Sequence, residues 1–245
     1  MSRFESYLAH QLNINMKRLL AFGCSNTYGH GLEDCYDNSL GNKSPGLKPS
    51  KFAWPEVLAD NLGRTCLNLS NPGASMKEVV HKIHTTKYLN DDLIVVMLTP
   101  GPRSCIISKG DSHKPFRKWG KWHIEQILGN RTPKPTKLDK RWITDFADDS
   151  DIWLSYITYI NYVYLFFKEK NIKAYYFCYK IDEGFSQFLE ENKEFKKIHQ
   201  IPICTPSLYD IQLTWNDVAL DGAHPGKNAH ATFANKAFEY ISQNG

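Results

Sequence analysis

Six consecutive apolar residues, Leu93–Leu98 (LIVVML), constrain this chain more than any other feature. The run is short, rich in β-branched residues and free of polar alternation, so it reads as a strand rather than a helical face. A strand that is apolar on both sides belongs at the centre of a parallel sheet covered by helices on both faces.

The rest of the sequence supplies both the neighbours and the cover. Arg18–Gly23 (RLLAFG), Thr65–Leu69, Ile172–Tyr179 and Ile201–Cys204 read as four further short strands. Helices are predicted between and after them. Phe52–Leu62 carries Phe52, Trp54, Val57, Leu58 and Leu62 at helical spacing, with Pro55 in its first turn. Ser75 to about Tyr88 begins with Ser75 as N-cap and Glu78 three residues on. Asp151–Lys170 is a long aromatic-rich helix, and Gly226–Ile241 closes the chain. Each link is long enough for a crossover connection. The expected fold is therefore α/β: a three-layer α/β/α sandwich with a flavodoxin-like, five-stranded parallel sheet. Asn26 to about Ser50 reads as loop.

A chain of 245 residues suits one large domain. Residues 16–245 read as that domain. Residues 1–15 read as an N-terminal extension, with a short amphipathic helix through Phe4, Leu8 and Leu12. An insert is expected at about 104–150. Lys109 to Arg141 holds ten Lys/Arg against three Asp/Glu, with Trp119 and Trp122 inside it and Trp142 beside it. Two readings stay open: a lid or platform for an anionic or sugar-containing substrate, or a surface excursion whose tryptophans pack down on the sheet.

The formal charge of +4 is too small to imply nucleic acid, and the basic stretch matches no recognised nucleic-acid module. No run approaches a membrane span, and the N-terminus lacks a signal-peptide core, so a cytoplasmic protein with no membrane partner is expected. The six cysteines are scattered without a C-x-x-C pair and read as buried free thiols.

The chemistry concentrates just after strand ends, where folds of this type bind ligands. Ser25, in Gly23-Cys24-Ser25-Asn26-Thr27-Tyr28-Gly29, directly follows the first strand. A serine hydroxyl needs a neighbouring base to become a nucleophile. Asp221-Gly222-Ala223-His224-Pro225 supplies one. An Asp three residues before a His can accept the imidazole Nδ1–H and leave Nε2 free for the serine proton.

Three blocks in order resemble the SGNH/GDSL hydrolase superfamily: Ser25 in G-C-S-N-T-Y-G, Gly73 in N-P-G-A-S after the second strand, and D-G-A-H-P near the C-terminus. The resemblance runs from about Lys17 to Ile241. FGCSNTYGHGLEDC followed by WPEVLADNLG is similar in particular to versions from bacteriophage and marine bacterial genomes, and a phage origin would make the protein virion-associated. The resemblance implies a serine esterase or deacylase acting on a small-molecule or glycan ester, an O-acetyl group on a glycan included. Ser25 would be the nucleophile, His224 the general base and Asp221 its orienting partner. The Ser25 and Gly73 amides would donate to the oxyanion, and no metal or other cofactor is implied. The chain departs from the pattern at the third block. There the superfamily has Gly-x-Asn-Asp, and this sequence has Leu98-Thr99-Pro100-Gly101-Pro102-Arg103. Thr99 and Arg103 are the candidate substitutes for the missing donor; Arg103, Trp119 and Trp122 are candidate substrate contacts. The alternative is a weakly active or inactive scaffold serving as a glycan-binding or virion accessory module.

Other residues have plainer readings. Asn71 and Ser75 suit turn and cap, and Cys24 suits a structural thiol. His81 with His84, and His30 with Glu33, Asp34 and Cys35, are two conceivable metal clusters, against packing and loop-shaping roles. Gly23–Gly31 lacks the G-K-[ST] ending and the G-x-G-x-x-G spacing of phosphate loops.

Overall fold

In the computed structural model the described residues are 17–36, 48–101, 103–109, 117–119, 122–127, 137, 140, 149–180, 183–198, 201–204 and 207–245. The extension 1–15, Trp142 and most of the basic stretch lie outside them.

Five strands form one parallel sheet: β1 (Arg18–Phe22), β2 (Thr65–Asn68), β3 (Leu93–Leu98), β7 (Ala174–Cys178) and β8 (Ile203–Cys204). Their order is β2-β1-β3-β7-β8, with β3 in the middle, paired in parallel to β1 and β7. All six residues of β3 are buried, as its composition requires. Alternate residues feed two cores. Leu19, Ala21, Val95 and Met97 face Trp54, Leu58 and Phe233 on one side. Leu20, Phe22, Ile94, Val96 and Leu98 face Val79, Ile83, Ile157 and Ile160 on the other. Each large apolar side chain so enclosed contributes about 1.5–3 kcal/mol, so both faces of the sheet hold it together.

The helices of the outer layers follow local rules. In α2 (Trp54–Asn61) Pro55 sits in the first turn, and no side chain of the N-cap residue Ala53 caps it. The imidazole of His230 does so from a distance, its Nδ1 accepting the Trp54 N–H at 3.1 Å. Helix α3 (Met76–Thr85) has Ser75 as N-cap, its hydroxyl accepting the Glu78 N–H at 3.3 Å. It stops short of the expected Tyr88: the Thr85 and Thr86 hydroxyls turn back to carbonyls of the last turn, and the Tyr88 hydroxyl donates to Ile83 O. The long helix α4 spans Asp149–Glu169, and α8 spans Lys227–Gln243.

Among the described residues, four helices correct the sequence reading. One-turn α1 (Ser25–Tyr28) opens the stretch read as loop, and α5 (Glu183–Glu191), α6 (Lys193–Ile198) and α7 (Leu208–Trp215) were not expected. All are short, too short for the apolar repeat to declare itself. Helix α7 does carry a legible start signal, a capping box between Ser207 and Asp210.

Within the span expected as an insert, Ser104–Lys109, Arg117–Trp119 and Trp122–Ile127 form a second, antiparallel sheet of order β4-β6-β5. Trp119 and Trp122 are registered partners across β5 and β6. Cys105 and Ile127 are buried, and β4 packs on α3. All six cysteines are free, five of them buried. Among the described residues no helix is long and apolar enough to cross a membrane.

Candidate active site

The sheet order reverses between β1 and β3, and the chain ends of these strands define the site. After β1 the chain turns tightly. A Cβ on Gly23 would stand 2.2 Å from Thr27 Oγ1, so only glycine fits. Helix α1 follows: Thr27 and Tyr28 donate to Cys24 O, and Gly29 (φ 77°) ends it by donating to Ser25 O. Ser25 is thus the first residue of a rigid turn at the sheet rim, while Cys24 before it is fully buried.

The C-terminal motif is a small closed loop. Val218 bridges Pro225, Ala219 N–H donates to His224 O at 2.8 Å, and Gly226 N–H donates to Asp217 O at 3.0 Å. At its tip Asp221 Oδ1 accepts the backbone N–H groups of Ala223 and His224, each at 3.0 Å. Its Oδ2 takes His224 Nδ1 at 2.5 Å. Burial alone would raise the Asp221 carboxyl. Hydrogen bonds from the His224 side chain and backbone, the imidazole charge and the Ala223 N–H outweigh it, holding the group well below the usual carboxylate range. An ionised Asp221 fixes the tautomer with hydrogen on Nδ1, so Nε2 is the basic atom.

The two chain ends meet directly. Leu220 N–H donates to Gly31 O at 2.9 Å. Gly31 (φ 89°) approaches so closely that a Cβ would lie 2.8 Å from Asp221 Cγ. This brings in a residue that sequence reasoning had grouped elsewhere. His30 Nε2 lies 3.6 Å from Asp221 Oδ2, and its ring centroid is 4.7 Å from that of His224. Its signal was the pair of flanking glycines, both in the left-handed region. The donors of His30, Asp221 and His224 all lie within 4.8 Å of one another, a spacing a cation could use. The Asp221–His224 hydrogen bond engages two of them.

Ser25, Ala223 and His224 line a cavity of about 460 Å³. Leu98, Pro100 and Arg103 from the end of β3 line it too, with Tyr179, Lys180 and Glu183 beyond the end of β7. Among the described residues no hydrogen bond joins Ser25 to His224; such contacts commonly tighten only when substrate binds.

The loop carrying Gly73 (φ 77°) is strapped to the β1–α1 turn. Asn68 Nδ2 donates to Thr27 O at 2.8 Å, and Asn71 N–H donates to Gly23 O at 3.3 Å. Below it Asn71 Nδ2 donates to Glu78 Oε1 at 2.7 Å, and Lys82 Nζ donates to Leu69 O at 2.8 Å. Glu78 and Lys82, 0% and 1% exposed, pair at 3.4 Å. Gly73 and Thr99 are not among the residues lining the cavity. Thr99 is buried, its N–H directed to Met76 Sδ at 3.4 Å. Gly101 packs against the Trp153 ring, leaving no room for a Cβ.

The metal-like groupings resolve differently. His84 meets the Tyr162 hydroxyl and stacks on its ring. Asp34 accepts from Ser50 Oγ and Lys51 N–H, fastening the loop.

No protein-family model and no curated protein sequence matches the chain. Solved structures do. TesA is 11% identical over 92% of this chain and 98% of its own, with a TM-score of 0.52. A carbohydrate esterase, described as having an active site with divergent catalytic and non-catalytic binding functions, is 12% identical over 93% of this chain, with a TM-score of 0.50. This chain spans 65% of that esterase's length. A putative lipolytic protein of the G-D-S-L family from Desulfitobacterium hafniense is 10% identical over 91% of this chain and 98% of its own, with a TM-score of 0.49. The first two establish a common fold, and the five-stranded parallel α/β architecture expected from the alternation of strand and helix patterns is the one found.

Proposed function

We propose that the chain is a serine ester hydrolase of the SGNH/GDSL type, acting on an ester-bearing small molecule or glycan. The observation that carries this reading is the 2.5 Å bond between His224 Nδ1 and Asp221 Oδ2, beside the same cavity that Ser25 lines. Ser25 Oγ attacks the acyl carbon as His224 Nε2 takes its proton. The imidazolium formed is stabilised by Asp221, which stays ionised. The tetrahedral oxyanion is held by the Ser25 amide; the Gly73 amide that the superfamily pattern adds does not line the cavity. His224 then gives the proton to the leaving alcohol, and the acyl-serine is hydrolysed by water with His224 again as base. Every step uses only this chain and water. The carbohydrate esterase among the structures of like fold makes acetylated sugars the first substrates to try.

The test is p-nitrophenyl acetate and acetylated sugars with wild type and Ser25→Ala. Wild type is expected to turn over at least one of them, and the variant to lose at least about 10³-fold in kcat. Equal rates would end the proposal.

A second reading, a glycan-binding module on the same scaffold, is favoured by one observation: the segment after β3 offers no asparagine, and Thr99 is buried away from the cavity lining. Sugar binding that survives Ser25→Ala, with no hydrolysis by wild type, would support it.

A further inference from the structure

Arg103 is a cation in the cavity wall that the mechanism above does not use. It follows β3 through a tight turn, its N–H donating to Gly101 O at 2.7 Å. Its Nε and Nη1 are shut off from solvent, and among the described residues neither has a hydrogen-bond partner. It lines the main cavity with Ser25 and His224, and also a smaller one of about 130 Å³ bordered by Tyr156, Tyr159 and Asp151. Among the described residues it forms no ion pair. Lys180 adds a second cation to the main cavity, while Glu183 stands 4.0 Å from it with its side chain 94% exposed. The cavity that Ser25 lines therefore presents two cations, Arg103 and Lys180, against the single, largely exposed carboxylate of Glu183.

A guanidinium with desolvated, unpaired N–H groups is costly, and the cost is recovered when an anion supplies the acceptors. The planar fork suits a carboxylate, which can accept two parallel bonds. We infer that Arg103 is the receptor for a carboxylate on the substrate, so that the preferred esters are acidic ones. This rests on the hydrolase reading and narrows it to a substrate class. The carboxylate comes either from the acyl group, as in a half-ester of a dicarboxylic acid, or from the alcohol, as in an acetylated uronic acid.

Two matched pairs separate these sources: mono-p-nitrophenyl succinate against p-nitrophenyl butyrate, and acetylated glucuronic acid against acetylated glucose. In one pair wild type is expected to favour the acidic member by about tenfold or more in kcat/KM, the equivalent of about 1.4 kcal/mol. Arg103→Gln should collapse that ratio, chiefly through KM. Arg103→Lys, which keeps the charge without the fork, should restore part of it. Thermal melts of both variants show whether they remain folded. Ser25-dependent hydrolysis with no acid preference in either pair overturns the inference and leaves the hydrolase reading intact. A kcat loss in Arg103→Gln that is equal for acidic and neutral esters also overturns it, since that is the signature of an oxyanion donor. If no ester is cleaved, the hydrolase reading fails, and calorimetry of Ser25→Ala with glucuronate and glucose still decides the role of Arg103. Glucuronate-selective binding that Arg103→Gln abolishes supports it; no selectivity overturns it.

Discussion

At the scale of residues, the site depends on one carboxylate doing several jobs. Asp221 shapes its own loop through two backbone bonds and fixes the imidazole through a third. Asp221→Asn should lower kcat by about 10²–10⁴-fold, since an amide leaves the imidazole in the wrong tautomer. The same carboxyl links stability to acid. Its folded pKa lies below its unfolded one, so its contribution is complete above pH ~4 and is lost as pH falls toward the folded value. Urea melts at pH 5 and pH 3 should show a drop in wild type that is smaller in Asp221→Asn. Gly31 is the other sensitive position. A methyl there would press on Asp221 and force an unfavourable φ. Gly31→Ala is expected to cost more than about 1 kcal/mol and to lower kcat as well. The Asp221–His224 contact was legible because both stand in one short motif, in the loop between α7 and α8, and the place of Ser25 because it closely follows β1. His30 and Gly31 were not, because their role comes from contact with the far end of the chain, which no local pattern records.

At the scale of elements, strand β3 was legible to the residue, since burial on both faces leaves no other use for LIVVML. The start of α3 was legible from Ser75 and Glu78, but not the further use of Glu78. Its carboxylate turns inward with Lys82, and together they tie down Asn71 and Leu69 O under the Gly73 loop. A Glu and a Lys four apart ordinarily mark a solvated helix face, and only the packing of the loop over α3 reverses that. Lys82→Met removes the cation that compensates a buried carboxylate and should cost about 3–5 kcal/mol, read as a lowered denaturation midpoint. Glu78→Gln combined with Lys82→Met removes both charges and should recover much of the loss. A double variant as unstable as Lys82→Met would show that the pair acts by more than charge compensation.

At the scale of the molecule, the doubly wound sheet unites segments from opposite ends of the chain, and helix α8 locks the arrangement from behind. Its His230 is wholly buried. Burial, and then the charge of His224, push its pKa down to about 3. The folded pKa is below the unfolded value, so the unfolded chain binds the proton more readily. Stability is full above pH ~6.5 and falls on acidification toward pH 3, by up to about 1.4 kcal/mol per pH unit. His230→Gln keeps an acceptor for the Trp54 N–H but takes up no proton, so its stability should be flatter across that window in thermal melts. The parallel architecture was legible from alternating apolar runs and helical patterns. The antiparallel β4-β6-β5 sheet was not, because β4 (SCIISK) and β6 (WHIEQI) lack sustained alternation and β5 (RKW) is only three residues long.

The central claim is that Ser25 is a nucleophile activated by His224. Intact-mass and peptide mass spectrometry after treatment with a fluorophosphonate tests it most directly, because that reagent bonds to an activated serine without requiring the natural substrate. The expected result is a single adduct on Ser25, formed at least about 10²-fold more slowly in His224→Ala. An adduct on another residue, or a labelling rate at Ser25 unchanged by removal of the imidazole, would contradict the account.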